Sequence, residues 1–459
     1  MKRIPTPSGL ISCLLLAGIT TATATATAET ALIDALGVLP GCTRSLASAI
    51  SADGTTVVGG SSTNGFATTD IHVHPAGRAF VWHPPGGMTS LATLNKVNDH
   101  SWAEDLSADG TVIVGFTLDA TGSQVPVRWD QGQPTPLPLP PLGTGAAVVI
   151  SADGSTIVGW GGPASGPSQN LRWRQGRSEV LSPNLGANDY AISATGTEGV
   201  IITTSRASSL RWSDPIGVLP ARISPTASDG LTHLPRAAAM TADGQRFFVS
   251  ASGDSSLAPN GIFEWRGQND GHPIPGYRAV AAYGYIRQLS ASASGNLLAA
   301  TAGGLGGVNA KDGLLVLPYG PLPFAPVLRA QGADTSHWSV LTNLTGLSAD
   351  GRWVVGSGGT VAGNGGQIRE EAFRAKLVLH AEGEPALRVT AITDAFNRTA
   401  TELRWPAHDL LVAVESVPAF HPELPWQPEA GTPKIEGNEI VLQLTESVSG
   451  RYFRLRRLD

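Results

Sequence analysis

One motif, repeated seven times, constrains this chain more than any other feature. Ser-Ala-Asp-Gly followed by alternating apolar residues reads SADGTTVVGG from Ser51, SADGTVIVGF from Ser107 and SADGSTIVGW from Ser151. Looser copies start at Ser193 (SATGTEGVII), Thr241 (TADGQRFFVS) and Ser292 (SASGNLLAAT), and a close one, SADGRWVVGS, starts at Ser348. Successive copies lie 56, 44, 42, 48, 51 and 56 residues apart. Propeller blades repeat at roughly 40–50 residues.

Every copy predicts the same local structure. Asp-Gly is a hairpin signal, because both residues tolerate the positive φ of a tight turn. The residues after the turn, 55–58 and 111–114 for example, are β-branched and favour a strand. A Gly/Ser/Thr-rich loop of variable length follows. Next comes a strand ending in Trp: RAFVW from Arg78, PVRW from Pro126, NLRW from Asn170, SLRW from Ser209 and IFEW from Ile262. The sixth and seventh copies, LLVL from Leu314 and AFRA from Ala372, lack the Trp. A turn and a fourth strand, such as residues 88–94, complete the unit.

Four antiparallel strands per repeat predict an all-β chain whose residues 29–379 form a seven-bladed β-propeller. The recurring Trp then packs between neighbouring sheets, with its N–H needing a partner. The stretch ALIDALGVLPG, residues 31–41, reads as a fourth strand with no blade of its own, and the last repeat lacks one. The N-terminal strand is therefore expected to complete the last blade, burying Leu32, Leu36 and Val38.

The start of the chain has the order of a secretory signal: Lys2 and Arg3, an apolar run over 10–19, then small residues over 21–28 ending Ala26-Thr27-Ala28. Residues 1–28 are read as that signal. The apolar run is too short to span a bilayer, which takes roughly 20 residues. A lipobox-like Leu10-Ile11-Ser12-Cys13 is set aside, because most of the apolar run follows the cysteine. The mature chain keeps one cysteine, Cys42, so it has no internal disulfide. Cleavage takes the formal charge from −6 to −8 by removing Lys2 and Arg3. With no basic run, nucleic acid is excluded as a partner. The expected location is secreted: extracellular, periplasmic or at the cell surface, with no membrane span.

At residues 78–82 a resemblance to a known family enters. Arg78-Ala79-Phe80-Val81-Trp82, after SADGTTVVGG and before a Met-x-x-Leu-x-x-Leu strand, resembles the extracellular repeats named for a His-Ala-Phe (HAF) motif. The resemblance covers roughly residues 31–379, with Arg78 in place of the namesake His. It implies secretion and repetition, and no established catalysis. Residues 380–387, HAEGEPAL, read as a linker. Beyond it, residues 388–459 hold short strands carrying LRWP, VAVESVPAF, PWQP and RYFRLRRL. That order predicts a small β-sandwich similar to fibronectin-III-like modules of secreted bacterial proteins, which implies a spacer or surface-association role.

Candidate chemistry is sparse. Asp70, His72 and His74 sit in the long loop of the first repeat. Histidines at i and i+2 face one side of an extended segment, as metal ligation needs, but no third ligand lies nearby, so no metal is assigned. Asp99, His100, Trp102, Glu104 and Asp105 cluster between the first two repeats, either as an acid–base group or as solvated loop residues. Glu370 and Glu371 are similar, and Asn343 and Asn397 open glycosylation sequons. No phosphate loop, Gly-x-Ser-x-Gly or His-Glu-x-x-His is present. No catalytic residue and no cofactor are assigned. Asp70, His72, His74, Asp99, His100 and Trp102 are the binding candidates. The reading is a non-catalytic extracellular binding or scaffold protein, with a glycan or a surface protein as partner. The alternative is a polysaccharide-active hydrolase or lyase, which needs carboxylates or a His/Tyr/Arg group to converge across repeats in a central pocket.

Overall fold

A computed structural model describes residues 29–459 except 64–73, 75, 98, 140–142, 164–167, 184–185, 204–208, 215–216, 222–232, 254–260, 267–271, 274–284, 304–312, 362–367, 394–398, 419–424 and 445–450. Residues 1–28, expected to be a secretory signal, lie outside the described residues. Each repeat folds as one antiparallel four-stranded sheet. The first comprises Arg44–Ile50, Val57–Ser62, Gly77–His83 and Gly87–Ser90. The seventh comprises Trp338–Leu347, Trp353–Val361, Ile368–Lys376 and the N-terminal strand Leu32–Gly37.

The repeated motif builds the turn between the first and second strands. Ser51 Oγ donates to Asp53 Oδ1 at 2.6 Å and accepts the Thr56 N–H at 2.9 Å. Asp53 Oδ1 also takes the Thr55 N–H at 2.9 Å. The same knot recurs at Ser107–Asp109, Ser151–Asp153, Thr241–Asp243 and Ser348–Asp350. The glycine that follows has positive φ, 74° at Gly54, so a side chain there would be strained. These turns hold Asp53, Asp109 and Asp243 below the usual carboxylate range, chiefly through the Ser or Thr hydroxyl and then the backbone N–H two residues on.

Turns of neighbouring sheets are tied to one another by a run of backbone bonds. The Ala52 N–H donates to Ala108 O (2.8 Å), Ala108 to Ala152 (2.9 Å), Asp153 to Ala194 (3.1 Å), Ala194 to Ala242 (2.9 Å), Ala242 to Ala293 (3.1 Å) and Ala293 to Ala349 (2.7 Å). Arginines add a second tie. Arg174 Nη2 reaches Gly196 O at 2.7 Å, Arg246 Nη1 reaches Ser294 O at 2.7 Å, and Arg374 Nη1 reaches Gly54 O at 2.7 Å. Arg374 also lies between the rings of Trp82 and Trp353, at 4.5 and 4.8 Å, and its Nε donates to Asp34.

This arrangement corrects the expected closed seven-bladed β-propeller. Strand pairing stops at the fourth strand of every repeat, and no sheet closes on itself. Among the described residues the run of turn-to-turn bonds is open as well, since none joins Ala349 back to Ala52. The physical reason is that each repeat satisfies its backbone within four strands and meets its neighbours mainly through side chains. What the chain has is an all-β architecture of many small antiparallel sheets.

The N-terminal strand does pair with Ile368–Lys376, in the register Leu32↔Lys376 to Ala35↔Phe373. Of its three expected anchors only Leu36 is buried, while Leu32 and Val38 are exposed. Ala31 and Leu39, on either side of the strand, are buried instead.

The five recurring tryptophans, Trp82, Trp129, Trp173, Trp212 and Trp265, are all buried. The Trp129 indole N–H donates to Ala92 O, and that of Trp173 donates to Pro138 O, both at 2.7 Å. Replacing Trp129 with Ala is expected to cost about 3–5 kcal/mol in a denaturant titration. A loss below about 1 kcal/mol would show that the ring adds little to the core.

Residues 388–457 form two more sheets. One has four strands, Arg388–Thr393, Thr399–Pro406, Glu439–Leu444 and Thr432–Glu436 in that order. The other has three, Gln427–Pro428, Val412–Val417 and Tyr452–Arg457. Their core is continuous with the sixth and seventh repeats and with the helix α1, Phe324–Ala330. Among the described residues no helix is long and apolar enough to cross a membrane.

Candidate functional site

The first strands of all seven repeats line one cavity of about 400 Å³. Each of these strands carries a β-bulge, with register breaks at Ala47/Ala49, Ala103/Asp105, Ala147/Val149, Ala187/Asp189, Pro235/Ala237, Ile286/Gln288 and Leu344/Gly346. A bulge inserts one unpaired residue and re-aims its side chain. The inserted residues Ser48, Glu104, Val148, Arg287 and Thr345 line the cavity. So do the motif alanines Ala52, Ala108, Ala152, Ala194, Ala242, Ala293 and Ala349.

The polar part of the wall gathers residues from four repeats: His74, Glu104, Arg287, Asn343 and Glu370. His74 Nε2 stands 2.7 Å from Glu104 Oε1, with both side chains under a tenth exposed. The His74 ring stacks on Trp102 with centroids 4.1 Å apart and an interplanar angle of 7°. Trp102 is itself fixed by its indole N–H, which donates to Ser48 Oγ at 3.3 Å. The Arg287 Nε is buried and has no hydrogen-bond partner among the described residues. Its stem lies over Gly303, where a Cβ would come within 2.8 Å of the Arg287 Cδ. Burial pushes the Glu370 carboxyl up, against the hydroxyl of Ser357, the charges of Arg44 and Arg287, and the Asn343 amide.

Two more cavity residues brace the wall. Asp105 Oδ2 accepts the Ile150 N–H of the next sheet at 2.9 Å, and Asp189 Oδ2 accepts the Ala238 N–H at 2.9 Å. Burial pushes each of these carboxyls up to about 7, although those same bonds pull them down.

The binding candidates fare unequally. Asp70 and His72 lie outside the described residues. His74 and Trp102 enter the site as a stacked pair, and Glu104 joins them. Asp99 is exposed, 4.0 Å from Arg78, and does not line the cavity. His100 Nδ1 accepts the Gly77 N–H at 3.0 Å, which ties the ring to the first sheet, and burial lowers its pKa. Sequence reasoning missed Arg287 altogether, read Glu370 as either an acid–base or a solvated loop residue, and noted Asn343 only as a glycosylation sequon. A bulge leaves no mark in the sequence, and convergence across repeats leaves none either. Among the described residues no three His, Cys, Asp or Glu side chains group to hold a metal ion.

No family model matches the chain, and no curated protein does. The HAF-repeat propeller reading is corrected by the sheets themselves, none of which closes on itself. Solved structures are similar only at a distance, across β-propeller and other β-sheet domain proteins. An oligogalacturonate lyase from Vibrio parahaemolyticus is 10% identical, at a TM-score of 0.47, covering 76% of this chain and 98% of that one. Hydrazine synthase of Kuenenia stuttgartiensis is 14% identical, at 0.41, covering 73% and 96%. The β-propeller domain of the Trilobed protease from Pyrococcus furiosus is 10% identical, at 0.39, covering 58% and 79%.

Proposed function

We propose that this is a secreted protein acting on an acidic polysaccharide, as a lyase or hydrolase, at the polar wall of the central cavity. The observation that carries the reading is the buried His74–Glu104 pair in the same cavity as Arg287, whose Nε has no partner among the described residues. With Nε2–H given to Glu104, His74 Nδ1 holds the ring's lone pair, as a general base needs. Arg287 supplies a cation for a sugar carboxylate. Together they suit elimination from a uronate. The base removes the proton beside the carboxylate, that electron pair forms the double bond, and the glycosidic oxygen departs. Secretion rests on the N-terminal signal pattern.

The test is release of unsaturated or reducing ends from a panel of uronate-containing and neutral polysaccharides. Glu104→Gln should lower kcat by about 100-fold, since positioned acid–base groups contribute roughly 10²–10⁴. Binding without turnover would return the protein to the non-catalytic binding reading. Neither binding nor turnover would remove the cavity from consideration.

A further inference from the structure

Two adjacent glutamates look interchangeable in the sequence and are not so in the structure. Glu371 has both oxygens engaged: Oε1 accepts the Gly37 N–H at 3.0 Å, and Oε2 stands 3.0 Å from His337 Nε2. Glu370 has only one engaged. Its Oε1 accepts Asn343 Nδ2 at 3.0 Å and Ser357 Oγ at 2.8 Å, which pins the carboxyl in place. Its Oε2 takes no protein bond among the described residues. Glu370 also lines two cavities. One is the central cavity. The other, of about 260 Å³, lies beside the N-terminal strand and offers Thr43, Thr360 and Arg369 to a polar ligand.

We infer that Glu370 Oε2 is the acid that protonates the leaving oxygen of the substrate, with one sugar unit in each of the two cavities. This rests on the acidic-polysaccharide reading and adds its substrate form, an oligosaccharide bound across Glu370. The step balances. The proton on the carbon beside the carboxylate passes to His74 Nδ1, and its electron pair becomes the new carbon–carbon double bond. The carbon–oxygen bond to the departing sugar breaks, and that oxygen takes the Glu370 proton. Both residues then exchange protons with water. Burial favours the protonated acid, and Ser357, Arg44, Arg287 and Asn343 oppose it. His74 and Glu104 share the central cavity, and Glu371, itself paired with His337, borders the smaller one.

The experiment compares the full-length wild type with Glu370→Gln, Glu371→Gln and Glu104→Gln. Each acts on an oligouronide and on the same oligouronide carrying fluoride as the leaving group, which departs with less need of a proton. Glu370→Gln should lose about 100-fold on the sugar leaving group and under about 10-fold on fluoride, and should lose the alkaline limb of the pH profile. Glu371→Gln, in the wall of the smaller cavity, should change the rates on both substrates to the same extent and keep the alkaline limb. Equal losses of Glu370→Gln on both substrates, or a wild-type pH profile, would overturn the assignment even while Glu104→Gln remains inactive and the broader reading stands. A wild type inactive on every oligouronide overturns both together.

Discussion

Deleting residues 388–459 is expected to destabilise the repeats, instead of trimming off a separate module. Tyr319, in the sixth repeat, is fully buried, donates its hydroxyl to Leu410 O at 3.0 Å and meets the Trp405 ring edge-on at 5.0 Å. Gln331, just after α1, is a buried three-way tie. Its Nε2 donates to Val378 O at 2.7 Å and to Ala407 O at 2.8 Å, while its Oε1 accepts the Val378 N–H at 3.0 Å. Leu403, Leu410, Val412 and Leu442 share one core with Leu322, Phe324 and Leu328. Uncovering a large apolar side chain costs about 1.5–3 kcal/mol. Several at once approach a whole domain's stability of roughly 5–15 kcal/mol. The truncated protein should therefore melt far below the full-length chain and expose apolar surface to a dye. If it melts within a few degrees of the intact protein, the shared core is not structural.

Stability should be greatest in mildly acidic solution and fall on either side. Asp105 and Asp189 have folded pKa values raised to about 7 by burial. A raised carboxyl contributes stability in full below its unfolded pKa of about 3.9 and loses it as pH rises toward the folded value. Each contributes at most about 4 kcal/mol, at 1.36 kcal/mol per unit. The turn carboxyls Asp53, Asp109 and Asp243 are lowered, so their contribution is present above the unfolded value and is lost as pH falls. Urea midpoints should then be higher near pH 5 than at pH 8. Asp105→Asn with Asp189→Asn should flatten that slope. A midpoint that stays constant from pH 5 to pH 8 would contradict the buried-carboxyl account.

The sequence was informative where structure is local. The Ser-Ala-Asp-Gly turns, the four strands of each repeat and the buried tryptophans follow from residues within a few positions of one another. The partnership of Leu32–Gly37 with Ile368–Lys376 was also readable, because one strand was surplus and another missing. Closure was over-read: a repeat count says how many sheets form, not how their backbones end. The linker read at 380–387 is polar in composition, which says nothing of Tyr319 and Trp405 meeting across it. The site was half hidden. His74 and Trp102 stood out by type, whereas Arg287 and Glu370 gain meaning only when bulges and register bring distant repeats to one wall.

The strand Leu32–Gly37 has a temporal consequence. It is made more than three hundred residues before its partner Ile368–Lys376. Until then it is an orphan with an open edge, the kind of surface that associates wrongly. Six repeats can pair their strands as they emerge, but the N-terminal strand must wait for the seventh. Pairing over such a separation is slow, because the intervening chain must be ordered before the contact forms. A nascent chain halted before residue 368 therefore carries an unpaired strand at its front, and completion of the last repeat removes it.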